Sequence, residues 1–484
     1  MDAVPTDIHI PLFVDLDGTL IRTDVAQELL VKSLGTPSQI GATVAAGMSG
    51  RASLKHFLAS ANEFDAATLP YHQQVLDYLA VEKAKGRTVI LATAADIVVA
   101  TKIADHLGLF DQVIASDQHR NLKGAQKLAA IREIADGPFE YLGDARADLP
   151  IWQEAAVVGF VNPSAATRAA APKNTKVSLD IGDKPPLVRS IIKAMRPHQW
   201  TKNCLIFLPL FFSHGYTDGA RVLNAVIAFG LFCLFASSIY IINDLLDIEA
   251  DRQHAKKRHR PFAAGRMLPV QGVVTAIGLA AFAFFISMSL LSVAMSLIFL
   301  LYIVITTLYS VWLKHYSTID VITLTCLYTL RIVAGGVAIS AVLSPWLLNF
   351  SLFFFLSLAL MKRYIELVRV QKAGKEKSRG YYVTDLQAVL PMGIANGGLA
   401  VLTLTLYLNS EYVAQTYASP TLLWLVAPLT LFWVYRAWIW ALRDKIDDDP
   451  VVFALRDKIS RLTLFLTCAL VISAKFISLE AWFQ

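Results

Sequence analysis

The sequence predicts two architectures in one chain: an α/β doubly wound domain with a small helical cap, followed by an all-α bundle of nine transmembrane spans. Three observations carry this. Apolar residues make up 55% of the 484 residues and mean hydropathy is +0.50, far above a soluble average. Nearly all the long apolar runs follow residue 185. Before it, short apolar runs ending in Asp, Thr or Gly alternate with helical stretches, the pattern of a parallel sheet. The expected division is 1–173 for the α/β domain, 174–186 for a linker containing Gly182, Pro185 and Pro186, and 187–484 for the bundle.

In the first part, the run Ile8 to Val14 delivers Asp15-Leu16-Asp17-Gly18-Thr19-Leu20 at its carboxyl end, where open sheets place their active sites. Thr88 to Ala92 reads as a buried strand ending at Thr93. Phe139 to Leu142 reads as another, ending at Gly143-Asp144-Ala145-Arg146-Ala147-Asp148. Residues 26–75 form the helical cap after the first motif. Met1 to Ile10 lacks the basic start and apolar core of a signal peptide, so the domain is expected in the cytoplasm.

In the second part, candidate spans fall at 200–214, 220–242, 267–289, 291–313, 318–342, 345–361, 387–409, 420–442 and 460–482. Each is near the roughly 20 residues that cross about 30 Å of hydrocarbon, the first being short. Lys and Arg set the orientation. Arg252, Lys256, Lys257, Arg258, Arg260 and Arg266 follow the second span. Seven cations from Lys362 to Arg379 follow the sixth, and five from Arg443 to Arg461 follow the eighth; the loops after spans three, five and seven have none. An integral protein of the cytoplasmic (inner) membrane follows, with its N-terminus and active sites on the cytoplasmic side. The net charge of +6 reflects this bias and phosphate contacts, and implies no nucleic-acid partner. Cys204, Cys233, Cys326 and Cys468 sit in separate spans without metal-site or disulfide spacing and read as packing residues. The sequence sets no oligomeric state.

Where the second span runs out, Asn243-Asp244-Leu245-Leu246-Asp247-Ile248-Glu249-Ala250-Asp251 forms a ladder of acceptors. At about 100° per residue, Asn243, Asp247 and Asp251 fall within about 80° on one helical face. A merely solvated helix end does not select three acceptors on one stripe. Such oxygens suit Mg²⁺, which takes one or two carboxylates and fills its remaining sites with water and substrate phosphates.

The soluble motifs, in order and spacing, resemble the haloacid dehalogenase superfamily. The resemblance implies Asp15 as a nucleophile forming an aspartyl-phosphate, Asp17 as the acid that protonates the leaving oxygen, and Thr93 as a phosphoryl ligand. It also implies a Mg²⁺ held by Asp15 and Asp17 with Asp144 and Asp148. The lysine it requires is assigned to Lys123, with Lys127 as the alternative. The second Asp implies a phosphatase rather than a dehalogenase.

The NDxxDxxxD pattern in an apolar bundle resembles the UbiA superfamily of intramembrane prenyltransferases. Its usual second aspartate cluster is here Lys362-Arg363-Tyr364-Ile365-Glu366. With Arg196-Pro197-His198-Gln199-Trp200-Thr201-Lys202-Asn203, Arg258-His259-Arg260-Pro261-Phe262-Ala263-Ala264-Gly265 and Leu330-Arg331-Ile332-Val333-Ala334-Gly335-Gly336, this resembles the decaprenyl-phosphate phosphoribosyltransferase branch. The resemblance implies transfer of 5-phosphoribose from phosphoribosyl pyrophosphate to a polyprenyl phosphate, with removal of the 5-phosphate by the soluble domain. A second Mg²⁺ would sit on Asn243, Asp247 and Asp251, with Asp244 to one side. Lys257, Arg258 and Lys362 would neutralise phosphate oxygens and Glu366 would bind a ribose hydroxyl. Lys202 and Arg331 would meet the lipid phosphate, and Asn203 is a further substrate-binding candidate. Arg331 lies inside an apolar segment, where an unpaired guanidinium costs roughly 2.5 to 3.5 kcal/mol, so it is expected to face a cavity. The alternatives are an aromatic or quinone polyprenyltransferase with an independent phosphatase, against which the missing second aspartates count, and a transporter, whose symmetric broken helices are not found.

Overall fold

The computed structural model describes residues 10–446 and 450–477, so Ile8 and His9 of the first run and residues 478–482 of the last expected span lie outside the described residues. The chain forms two compact units, Met1–Arg196 with Tyr240–Gly278, and Pro197–Ile239 with Leu279–Gln484.

The first unit contains a six-stranded sheet: β1 (Leu12–Val14), β2 (Val89–Asp96), β3 (Gln112–Ser116), β4 (Glu140–Gly143), β5 (Val157–Val161) and β6 (Lys176–Ile181). All pairs are parallel and the order is 3-2-1-4-5-6. Leu12 and Val14 face one core while Phe13 faces the other, edge-on to Phe139 at 5.7 Å. This alternation follows from the period of two along a strand. The chain leaves β1 for β2 and β3 on one side and returns to β4 on the other. The carboxyl ends of β1 and β4 are therefore the switch point where a doubly wound sheet opens a crevice. Helices Val25–Leu34, Ile40–Met48 and Arg51–Ala61 form the cap expected between β1 and β2.

The linker needs correction. Residues 176–181 form β6, paired with Val157 to Val161, because Val177, Leu179 and Ile181 alternate with polar residues as an edge strand does. The connection that remains is 182–186.

The rest of this unit is the end of a long helix, Gly219–Leu246, then Ile248–Gln253, the turn Lys257–His259, and the start of Pro269–Leu290. It is fixed to the α/β domain by named contacts. Arg252 forks onto Glu28 with N–O distances of 2.6 and 2.9 Å. Lys32 pairs with Glu249 at 2.9 Å, and the Val270 N–H donates to Gln27 Oε1 at 3.1 Å.

Among the described residues, eight helices are long and apolar enough to cross a membrane: Gly219–Leu246, Pro269–Leu290, Val293–Val311, Ile319–Ala338, Pro345–Lys372, Val383–Leu408, Pro420–Leu442 and Lys458–Phe476. The expected first span, 200–214, is not one of them. It is a 3₁₀ segment, Pro197–Phe207, followed by five α-helical residues, Leu208–Phe212. Pro209 removes a backbone donor there, and the polar run from His198 to Asn203 weakens the apolar register. The segment packs tightly against Ile319–Ala338, since a Cβ on Gly335 would lie 2.1 Å from the Ile206 carbonyl oxygen.

Candidate functional sites

The switch point holds the first site. Asp15 leaves β1 with Oδ1 accepting from its neighbour's N–H, Leu16, at 2.8 Å and Oδ2 3.0 Å from Lys127 Nζ. Asp148 Oδ1 accepts from Lys127 at 3.2 Å and from the Tyr141 hydroxyl at 2.8 Å. Asp148 Oδ2 accepts the N–H groups of Asp144 and Ala145. Asp17 accepts from the Val25 N–H at 3.0 Å, which ties it to the start of the cap. Gly18 has φ +82°, and a Cβ there would lie 2.2 Å from Asp144 Oδ2, so a larger residue would strain the turn and displace the Asp144 carboxylate. Thr93 is buried where the register of β2 with β3 slips, and its Oγ1 accepts from the Ala95 N–H at 3.0 Å. Its hydroxyl proton is left to donate to a phosphoryl oxygen.

The lysine assignment is corrected by this geometry. Lys127, on helix Ala125–Arg132, is buried between Asp15 and Asp148, whereas Lys123 is exposed on the cleft rim. The helix begins only at Ala125, after Gly124 with φ +59°, so the two lysines do not share a helical face. Tyr141 was legible only as a strand residue. Its hydroxyl accepts from Lys127 at 2.7 Å and donates to Asp148, fixing both.

Burial raises the Asp15 carboxyl above its ordinary range, with Lys127 opposing the rise. Burial, then the nearby Asp24, pushes Asp17 well up, and burial, then Asp15, does the same to Asp144. Burial pulls Lys127 down, but Asp15 and Asp148 outweigh it and hold the ammonium charged. This is a surplus of crowded carboxylates of the kind a divalent cation cancels. Asp15, Asp144 and Asp148 each bring an oxygen within 4.8 Å of the others, so hard donors converge as Mg²⁺ requires. Asp17 is not one of the three. The cleft above them is about 250 Å³ and is lined also by Arg22, Lys55, His72, Lys184 and Arg266.

The acceptor ladder is the second site. Backbone bonds of helical spacing run through it: the Asp247 N–H donates to the Asn243 carbonyl at 3.0 Å and the Asp251 N–H to the Asp247 carbonyl at 2.8 Å. The helix nevertheless breaks at Asp247, which caps Ile248–Gln253 with φ −100° and ψ 13°. Asp247 is exposed and Asp251 buried. Arg260 Nη1 joins Asp251 at 2.6 Å to Asp244 at 3.0 Å, and Arg196 also pairs with Asp244. The donors suit Mg²⁺ in kind, but the carboxylates do not close on one point and a guanidinium holds two of them. Lys257 and Arg258 lie in the exposed turn that follows.

The second unit carries the remaining candidates. Arg331 is buried and donates to Asn203 Oδ1 at 2.9 Å, to the Tyr302 hydroxyl at 3.2 Å and to the Leu327 carbonyl. Arg331, expected to meet the lipid phosphate, thus holds Asn203, another of the substrate-binding candidates. Glu366 accepts from Ser378 at 2.6 Å and pairs with Arg363 and Arg379. Arg363 is buried against Asp320 at 2.6 Å, whose other oxygen accepts from Tyr381 at 2.7 Å. Asp320 gave no local signal, since its partners lie 43 and 61 positions away. Lys362 is half-buried on the same helix, and Lys202 lies in the 3₁₀ segment.

Residues 205–471 match the UbiA prenyltransferase family, and residues 12–153 match haloacid dehalogenase-like hydrolase. Uncharacterized protein y4nM of Sinorhizobium fredii is 38% identical over 460 residues, covering 94% of this chain and 89% of that protein. Decaprenyl-phosphate phosphoribosyltransferase of Mycolicibacterium smegmatis is 39% identical over 194 residues, 39% of this chain and 60% of that protein. That match spans less than two thirds of the relative's length. A solved UbiA homolog from Archaeoglobus fulgidus, bound to GPP and Mg²⁺, aligns with a TM-score of 0.45 at 16% identity, over 58% of this chain and 99% of that one.

Proposed function

We propose, from the premise that this chain belongs to the UbiA prenyltransferase family and carries a haloacid dehalogenase-like hydrolase domain before it, that it makes a polyprenyl-linked pentose in two steps. The membrane part transfers 5-phosphoribose from phosphoribosyl pyrophosphate to a polyprenyl phosphate. The soluble part then removes the 5-phosphate. The observation that carries the choice of donor is the state of Glu366: it is held by Arg363, Arg379 and Ser378, so no second acidic cluster stands at Lys362 to Glu366 to clamp a prenyl diphosphate. The M. smegmatis relative, named for phosphoribosyl transfer to decaprenyl phosphate, supports the same reading.

In the transfer, a phosphate oxygen of the lipid bonds to C1 of the ribose as the C1–oxygen bond to pyrophosphate breaks. The acceptor is already largely ionised near neutral pH, its second pKa being about 6, and needs no strong base. Charge neutralisation of the leaving pyrophosphate falls to Lys257 and Arg258. Mg²⁺ at Asn243, Asp247 and Asp251 is part of this proposal and requires Asp251 to exchange Arg260 for the metal.

In the hydrolysis, an Asp15 oxygen bonds to phosphorus as the phosphorus–oxygen bond to the sugar breaks, and Asp17 gives its proton to the departing 5-oxygen. Water then attacks phosphorus, returns a proton to Asp17 and releases phosphate from Asp15. Lys127 and Thr93 hold the phosphoryl oxygens. When bound at Asp15, Asp144 and Asp148, Mg²⁺ supplies neutralisation of the phosphoryl charge.

The test is to incubate the purified full chain with ribose-labelled phosphoribosyl pyrophosphate and decaprenyl phosphate. Wild type is expected to yield lipid-extractable pentose without a 5-phosphate, Asp15→Asn to accumulate the phosphorylated lipid, and Asp251→Ala to yield neither. Absence of lipid-extractable label, or efficient prenylation of an aromatic acid from geranyl diphosphate, overturns the reading.

A further inference from the structure

The cleft above Asp15 has two poles of opposite charge. Its floor is acidic, and its rim carries Arg22, Lys55, Lys123, Lys184 and Arg266. Two of these are committed. Arg22 pairs with Asp183 at 2.6 Å, and Lys55 donates to the Ala94 carbonyl at 2.6 Å and to Asn121 at 3.1 Å. Among the described residues, Lys123, Lys184 and Arg266 have no carboxylate in ion-pair reach. They come from three distant places: the segment after β3, the exit of β6, and the loop that follows the acceptor ladder. Unpaired cations drawn to one cleft repel one another unless an anion joins them.

Arg266 is held in place by its backbone. Gly265 has φ +64°, and a Cβ there would lie 2.4 Å from Arg22 Cβ and 3.0 Å from its carbonyl oxygen, so the loop touches the β1 connection where no larger residue fits. The Arg266 N–H donates to the Pro261 carbonyl at 2.8 Å, and the Arg252–Glu28 fork anchors the same loop upstream. The phosphoryl group that is removed already has Lys127 and Thr93. A separate anion is left for the rim.

We propose that this cleft contains a second anion subsite, formed by Arg266 with Lys123 and Lys184, and that the hydrolysed substrate carries a phosphate or phosphodiester besides the phosphomonoester it loses. The inference rests on the phosphatase reading given above and deepens it. On that reading the second anion is the phosphodiester joining pentose to lipid, whose two free oxygens match a guanidinium fork. A free sugar bisphosphate offers the same chemistry. Part of the phosphatase's recognition is then encoded in the transferase's own loop.

The experiment compares Arg266→Gln with wild type, both full-length in nanodiscs with Mg²⁺, on farnesyl-phosphoryl-ribose 5-phosphate, ribose 1,5-bisphosphate and p-nitrophenyl phosphate. The readout is kcat/KM for each doubly charged substrate divided by that for p-nitrophenyl phosphate. Arg266→Gln is expected to lower this ratio about tenfold or more through KM, the loss of a charge-assisted hydrogen bond, with Arg266→Lys in between. A ratio unchanged within about twofold, including equal losses on all substrates, overturns the subsite. The two readings fail separately. If only the free bisphosphate is hydrolysed, with the expected Arg266 dependence, the subsite stands and the lipid-linked assignment falls. If the lipid-linked substrate is hydrolysed without regard to Arg266, the subsite falls and the two-step reading stands.

Discussion

Glu28→Gln isolates the bond between the cap helix Val25–Leu34 and the loop that carries Asp251. In wild type the Arg252 and Glu28 side chains are only 4% and 11% exposed, and both guanidinium nitrogens engage the carboxylate. Thr23 adds a third contact, donating to Glu28 at 2.5 Å. Removing one partner of a buried pair strands the other charge and costs about 3 to 5 kcal/mol. The slight exposure of Glu28 and the retained amide argue for the lower bound, about 3 kcal/mol, or roughly a hundredfold in the equilibrium that keeps the loop docked. Hydrogen exchange of the loop reads this directly. The amides of Arg258, Arg260, Ala264 and Gly265 are hydrogen-bonded within the loop and should exchange about a hundredfold faster in the variant. Strand β1, buried in the sheet, should be unchanged. Phosphoribosyl transfer should fall with loop protection, because Asp251 immediately precedes Arg252. A double-mutant cycle with Arg252→Gln should recover most of the loss as coupling. Wild-type exchange in Glu28→Gln, or purely additive single losses, would refute the reasoning.

Lys127→Ala should reduce phosphatase kcat at least about a thousandfold, since it leaves Asp15 and Asp148 facing each other without their shared cation, whereas Lys123→Ala should leave turnover of a small phosphomonoester within about twofold of wild type; steady-state kinetics with that substrate separates them. Gly18→Ala should abolish phosphatase turnover while leaving phosphoribosyl transfer measurable, as the new methyl would collide with Asp144; full phosphatase activity would contradict the close approach. His72 titrates at about 4, lowered by burial and then by Arg22. Its unfolded value is about 6.5, so the unfolded chain binds more protons between these values, and the α/β domain should lose on the order of 3 kcal/mol as pH falls from 6.5 toward 4. Melting followed by buried Trp152 should show that loss in wild type and a flatter profile in His72→Gln.

Much of the soluble site was legible because a parallel sheet fixes where its loops go. Once Asp15, Thr93 and Asp144 were placed at strand ends, their convergence followed from topology. The choice between Lys123 and Lys127 was not legible, because it turns on where a helix begins, and the positive φ of Gly124 delays that start to Ala125. β6 was missed because an edge strand with alternating polar residues reads locally like a linker. In the membrane part, the ladder Asn243, Asp247 and Asp251 was visible as a helical period, while its partners were not. Arg260 and Arg196 reach Asp244 from 16 and 48 positions away, and Asp320 meets Arg363 across 43, separations over which periodicity carries no information.

The contact between Arg252 and Glu28 also constrains how often the chain crosses the bilayer. A membrane-spanning helix delivers its two ends to opposite faces, and Gly219–Leu246, with 28 residues, is long enough to do so. Yet the residues just beyond it touch a domain that lies entirely before Pro197. If the long helix crosses the bilayer, the path from Pro197 needs a second crossing to return to that domain's face, and the stretch before the helix that could supply it is Pro197–Phe212. Eleven residues at the 3₁₀ rise of about 2.0 Å and five at about 1.5 Å extend close to 30 Å, the thickness of the hydrocarbon layer. Wound as an α-helix the same stretch would reach only about 24 Å. The tighter coil gives a segment too short for an ordinary span a reach comparable to that thickness.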